Sequence, residues 1–211
     1  GAACKRIRGL SNGYCRHHKS TLLRHVPVHT LHDIIRDYAE EGMVTTWEIP
    51  PLDCLLTLPL ADYDVRVQWV PGGTYTRYGV GIEPSHTYDV ATEATVTVLG
   101  AVGVWSMHEH ASREWLVSVD SWGPNARLGV GRNAFCGCER LERVATPPDI
   151  GTLTDLSGMF MDTSYFDQDI GGWQTGRVTN MSGMFEDARA FNQDIGRWRT
   201  HNVTDMSGMF Y

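Results

Sequence analysis

Apolar positions recur with a fixed spacing through the C-terminal part of this chain. GTLTDLSGMFMDTSYFDQDIGGWQT (Gly151–Thr175) is followed without a gap by GRVTNMSGMFEDARAFNQDIGRWRT (Gly176–Thr200), and then by HNVTDMSGMFY, which stops at Tyr211. Leu153, Val178 and Val203 share one phase of this 25-residue period, and Leu156, Met181 and Met206 share another. Met159, Met184 and Met209 share a third, and Phe160, Phe185 and Phe210 a fourth. Later in the unit Phe166 matches Phe191, Ile170 matches Ile195, and Trp173 matches Trp198. The positions that vary are small or charged, as in Met161 against Glu186 and Gly172 against Arg197. A period of this length marks supersecondary units that cannot bury their apolar faces alone and must stack. Residues apolar in every copy are therefore the predicted core, and those that drift are predicted to face water. A Met- and Phe-rich stripe also suits an adaptable binding surface, but recurrence in register favours packing.

The period extends upstream in weakened form. One step back from Phe160, Phe166 and Leu153 lie Phe135, Leu141 and Leu128. The predicted array is therefore a leucine-rich-repeat-like solenoid over 126–211, with rungs 126–150, 151–175 and 176–200 and a partial rung 201–211. Terminal repeats are usually atypical because they cap the stack, which accounts for the weak first copy. The chain starts without methionine and stops inside a unit, so the expectation is that further protein, or a partner, completes the array.

Two motifs make a family resemblance specific. V-T-x-M-S-x-M-F (Val178–Phe185) and F-N-Q-D-I-x-x-W (Phe191–Trp198) resemble the repeat of BspA-like bacterial surface proteins and mycoplasma lipoproteins. The first copy, with A-F-x-x-C-x-x-L at Ala134–Leu141, resembles the related leucine-rich units. This resemblance implies a solenoid but no particular ligand.

From 45 to 122 the pattern changes to that of strands. Val65–Val70, Ala94–Leu99 and Leu116–Val119 alternate or run β-branched, separated by Pro71-Gly72-Gly73, Glu83-Pro84-Ser85 and Gly123-Pro124. Such spacing predicts a small antiparallel β-sandwich. The order V-x-V-x-W-x-x-G-G (Val65–Gly73), His86-Thr87-Tyr88, then A-T-V-T-V (Ala94–Val98) resembles PKD-type immunoglobulin-like domains. It departs from them where Val70-Pro71-Gly72 follows Trp69 and the usual acidic turn residue is missing. Ahead of it, Val28, Leu31, Ile34, Ile35 and Tyr38 fall at helical intervals behind a Thr30 cap, which predicts an amphipathic helix over 26–44. The overall expectation is mainly β.

Charge separates residues 1–25 from the rest. Lys5, Arg6, Arg8, Arg16, Lys19 and Arg24 stand there without an acidic residue, leaving 12 basic against 25 acidic residues, a net −13, in the remainder. Nucleic-acid or anion contact is therefore expected only through this arm. Cys4, Cys15 and His18, in a G-x-x-C-x10-C-x2-H pattern, are candidate ligands of a structural zinc. The pattern resembles small Cys/His motifs whose first cysteine would precede Gly1, so the set is incomplete; the alternative is two unpaired cysteines in a basic tail. No apolar run is long enough to span a membrane, and no secretory signal is visible.

Catalytic constellations are weak. His108-Glu109-His110 lacks a third ligand, Cys136-x-Cys138 suggests redox chemistry but Cys138 falls at the repeat's own small apolar position, and five cysteines make no disulfide framework. Asp167-Gln168-Asp169 above Asn192-Gln193-Asp194 offers oxygen ligands for calcium, but turn-capping ladders are the preferred reading. The expected function is a non-enzymatic protein-binding or scaffold role on the repeat face, with no cofactor in the repeats. The alternative is nucleic-acid or anion binding through the arm. Family resemblance points to a cell surface, whereas free thiols and a zinc-like arm point to a reducing interior, which is the side the balance falls on.

Overall fold

The computed structural model describes residues 42–51, 54–60, 64–100, 105–123, 128, 131–147 and 149–211. The basic arm and nearly all of the expected helix lie outside these residues. The helix does not reach its expected end at 44, because strand β1 (Met43–Ile49) already begins at Met43. Met43, Thr45, Trp47 and Ile49 are all buried while Val44 is half-buried and Glu48 exposed, the period of a strand, and Thr46 between them is covered as it bonds Asp120.

The described part is mainly β. Its strands are β1, β2 (Cys54–Thr57), β3 (Val65–Gln68), β4 (Thr76–Tyr78), β5 (Ser85–Tyr88), β6 (Thr92–Gly100), β7 (Leu116–Ser121) and β8 (Arg143–Val144). Helix is confined to two short 3-10 turns, Arg113–Trp115 and Ile150–Thr152. A six-stranded sheet runs β4-β3-β6-β1-β7-β8, and β2 and β5 form a separate antiparallel pair. All pairings are antiparallel except β7 with β8, where Ser118 faces Arg143 and Val119 faces Val144. Trp47, Val65, Val67, Val96, Val98 and Leu116 from the large sheet share one buried apolar cluster with Leu56 and Tyr88 from the small one.

The parallel pair joins the two halves of the described chain. β8 belongs to the first repeat copy, so the sheet continues into the repeats where the sequence suggests a boundary between 122 and 126. Glu142 and Ala145 donate their N–H groups to Val117 O and Val119 O at 2.9 and 2.7 Å, and Met107 donates to Ala134 O at 2.8 Å. Residues 105–121 thus cover the leading edge of the first copy. This segment lacks the repeat's sequence motif, so periodicity alone does not reveal it.

Beyond β8 the copies hydrogen-bond to one another in register. Asn133, Phe135 and Gly137 donate to Ser157, Met159 and Met161 at 2.9–3.0 Å. Leu156, Gly158, Phe160 and Asp162 donate to Asn180, Ser182, Met184 and Glu186, and Met181, Gly183, Phe185 and Asp187 to Asp205, Ser207, Met209 and Tyr211. Parallel bridges join Asp155 to Asn180 and Asn180 to Asp205. Within each copy the S-G-M-F-x-D segment turns through two left-handed residues: Gly158 (φ 60°) with Asp162 (φ 60°), and Gly183 (φ 59°) with Asp187 (φ 53°). One copy earlier Asn133 (φ 54°) and Gly137 (φ 75°) hold the same stations. Only Gly, Asn and Asp adopt this conformation readily, which explains why these types recur there.

The repeat interior is an aromatic column. Phe135, Phe160, Phe185 and Phe210 stack near-parallel with centroids 5.6–5.8 Å apart, and Phe166 stacks on Phe191 at 6.0 Å. Leu141, Leu153, Leu156, Met159, Phe166, Ile170, Trp173, Val178, Met181, Met184, Trp198 and Met209 are also buried. Phe191, Ile195 and Val203 are only partly buried against this cluster. Met206 and Phe210 depart from the expected core, at 44% and 63% exposed. They stand in the final copy, where no following rung in this sequence covers them.

Candidate interaction surface

Side chains between the copies are largely occupied in closing turns. Asp155 Oδ1 accepts Ser157 N–H and Oγ at 2.9 and 2.6 Å, Asn180 Oδ1 does the same for Ser182, and Asp205 Oδ1 accepts Ser207 N–H. Thr179 and Thr204 hydroxyls donate to the carbonyls of Thr154 and Thr179, one copy back, at 3.0 Å. These are local side-chain-to-backbone bonds repeated by the period.

The acidic stations are spent in the same way. Asp167 Oδ1 accepts Asn192 N–H at 2.8 Å and Gln193 Nε2 at 2.9 Å. These donors, the Asn192 N–H first, hold its carboxyl below the ordinary range. Asp169 and Asp194 cap Gly171 and Gly196 N–H, and Gln168 Oε1 accepts Val144 N–H, closing the outer edge of β8. Carboxylates that accept backbone N–H groups serve as turn caps. No group of three or more His, Cys, Asp or Glu side chains suited to a metal occurs among the described residues. Cys4, Cys15 and His18 lie outside them.

His110 has partners unlike those of a catalytic base. Its Nε2 lies 3.1 Å from Glu83 Oε1, and its Nδ1 accepts Ser112 N–H at 3.3 Å. Ser112 is fully buried, and its Oγ accepts Thr57 N–H at 3.1 Å. The residue types of a hydrolytic triad are present, but the serine hydroxyl meets Thr57 rather than the imidazole. Burial pushes the Cys136 thiol up, with Asp162 adding to the effect, and pushes the enclosed Cys138 thiol up much further. A raised thiol is a poor nucleophile.

A salt-bridged seam ties the first copy to the sheet. Asp120 accepts Thr46 Oγ1 at 2.8 Å, Ser118 Oγ at 2.9 Å and Arg143 Nη2 at 2.7 Å, and Arg140 pairs with Glu48. Burial opposes ionisation of Asp120, yet the Thr46, Arg143 and Ser118 donors together outweigh it and hold the carboxyl low. Trp122 Nε1 donates to Ala145 O across the same seam.

Within the repeats, the outward positions are exposed. Tyr165, Arg177, Arg189, Arg197 and Arg199 are exposed, and sequence variation between copies already placed Gly172/Arg197 among the drifting stations. Among the described residues no helix is long and apolar enough to cross a membrane. No curated protein and no solved structure matches the chain. Residues 131–211, which carry the in-register ladder, match the family described as a Mycoplasma protein of unknown function, DUF285.

Proposed function

We propose that this chain is a non-enzymatic protein-binding scaffold whose contact surface is the outward face of a leucine-rich-repeat-like solenoid of BspA type. The observation that carries the reading is the in-register hydrogen bonding of successive copies, which repeats each outward station at a fixed interval. Solenoids supply extended surfaces of this kind without convergent catalytic groups. The turn-capping role of the acidic stations and the blocked imidazole of His110 favour binding over catalysis. In the same reading the preceding strands form a PKD-like sandwich that mounts the repeats through β7 and β8. Its Trp69, His86 and Tyr88 rings pack together at the stations of the motif, with Trp69 stacked on His86 at 5.5 Å. Zinc at Cys4, Cys15 and His18 remains a separate proposal for the arm, with no cofactor in the repeats.

Photo-cross-linkers placed at Tyr165 and Arg189 in the full chain test this reading, with Arg77 on β4 as the control site. Trapping of protein from the two repeat positions, and not from the control, is the expected result. Capture of nucleic acid by the arm, with nothing trapped at the repeats, would establish the alternative instead.

A further inference from the structure

Four of the ten arginines among the described residues have a carboxylate partner: Arg77 pairs with Asp64, Arg140 with Glu48, Arg143 with Asp120, and Arg189 with Asp187. Arg177, Arg197 and Arg199 differ. All three are exposed, and none forms an ion pair among the described residues. The ladder sets Arg199, with Arg197 two residues before it, beside the turn that carries Arg177. Arg199 N–H donates to Thr175 Oγ1 at 2.9 Å, two residues before Arg177, and the Arg199 Cδ lies 3.6 Å from the point where a Cβ on Gly176 would stand. Its stem therefore crosses the turn that carries Arg177. Buried Trp198 separates exposed Arg197 from exposed Arg199, so both arginines point outward. Asn202 closes the group, donating from Nδ2 to Gly176 O at 2.7 Å and lying 3.2 Å from His201 Nε2. The nearest carboxylate in sequence, Asp194, is engaged by Gly196 N–H. In the preceding copy the same three stations are Thr152, Gly172 and Gln174, all uncharged.

We infer that the edge formed by Arg177, Arg197 and Arg199 is a docking site for an acidic protein segment, one presenting closely spaced Asp or Glu side chains. Guanidinium groups without internal partners retain their donors for planar, bidentate recognition of carboxylates. An acidic peptide fits better than nucleic acid. The chain beyond residue 25 carries a net −13, which repels a long polyanion at distance, whereas a short segment touches only the local positive edge. The edge offers no exposed aromatic ring for base stacking either. This inference rests on the protein-binding reading above and adds the partner's chemistry.

The test uses the full chain with a fluorescein-labelled Glu-rich peptide carrying a photo-cross-linker, and single-stranded oligothymidylate of equal charge as the rival. The peptide is expected to bind, to weaken as salt rises, and to cross-link within residues 176–202. Combining R177Q, R197Q and R199Q should raise its Kd by about tenfold, while R77Q on β4 leaves it unchanged. The corresponding triple lysine variant should restore only part of the binding, because it keeps the charge without the planar fork. An unchanged melting curve for each variant separates loss of charge from loss of fold. Cross-links confined to residues 1–25, or a triple glutamine variant that binds like the parent, would overturn the assignment. So would tighter binding of the oligonucleotide at the same edge, or a self-association that the triple variant abolishes. If these arginines fail but cross-linkers at Tyr165 and Arg189 still trap protein, the arginine edge falls and the broader repeat reading stands.

Discussion

Replacing Phe160 by alanine should be among the most damaging single changes in the repeats. The ring is fully buried and lies between Phe135 at 5.7 Å and Phe185 at 5.8 Å, with Phe166 at 4.2 Å and Trp173 at 5.8 Å. Burying such a side chain contributes about 1.5–3 kcal/mol, and the cavity left by truncation brings the expected loss to about 3–5 kcal/mol. Phe210 occupies the same phase but is 63% exposed and has one ring neighbour, Phe185 at 5.6 Å. With roughly a third of its surface covered, Phe210→Ala should cost about 0.5–1 kcal/mol. Phe191→Ala should fall between them, because that ring is only partly buried. Urea unfolding followed by tryptophan fluorescence reports the whole fold, since Trp173 and Trp198 in the repeats are two of seven tryptophans, and far-ultraviolet circular dichroism follows the sheets alongside it. The expected order of midpoints is parent, Phe210→Ala, Phe191→Ala, Phe160→Ala, from highest to lowest. Equal shifts for Phe160→Ala and Phe210→Ala would refute the claim that coverage by neighbouring copies sets the energetic weight of each phase.

Three further outcomes follow from geometry and protonation. Gly183→Ala should destabilise by about 1–2 kcal/mol, because φ is 59° and the new Cβ would stand 3.2 Å from Met161 Cε; a melt unchanged from the parent would remove the strain argument. Asp120 has a lowered folded pKa, so its contribution is fully present above the ordinary value of 3.8 and is lost as pH falls through the folded value. Asp120→Asn should therefore flatten the acid limb of stability measured against pH, and a limb of the same steepness would count against the seam. Tyr88 donates to Trp69 O at 2.7 Å, and burial pushes its phenol up to about 12. The stability tied to that proton is complete below the ordinary value of 10.0 and should be lost between there and about 12. Absorbance at alkaline pH should show a late-titrating tyrosine that Tyr88→Phe removes, and a titration identical in the two proteins would reject the assignment.

The two halves of the chain differ in how much of their architecture is legible. Repeat phases translate directly because one copy sits on the next at equal sequence separation, so Phe135, Phe160 and Phe185 align in space as they do in the sequence. The same argument loses force for Met206 and Phe210, since burial depends on what covers a residue and not on its phase. Strand alternation located β3, β6 and β7 closely, yet β1 was assigned partly to a helix. Met43-Val44 precedes Thr45-Thr46-Trp47 without a turn signal, and pairing with both β6 and β7 overrides the local preference. Arm residues Cys4, Cys15 and His18 carry the metal candidates, and those rest on spacing alone.

What the sequence determined by itself is the period and the identity of the apolar phases. Both depend on a residue's own volume and polarity. The tertiary structure decided which segment covers the first copy, that β8 joins the repeats to the six-stranded sheet, and that Arg199 lies across the turn that carries Arg177. These depend on pairings between residues far apart in the chain, where hydrogen-bond register and loop closure choose among partners that no local pattern distinguishes.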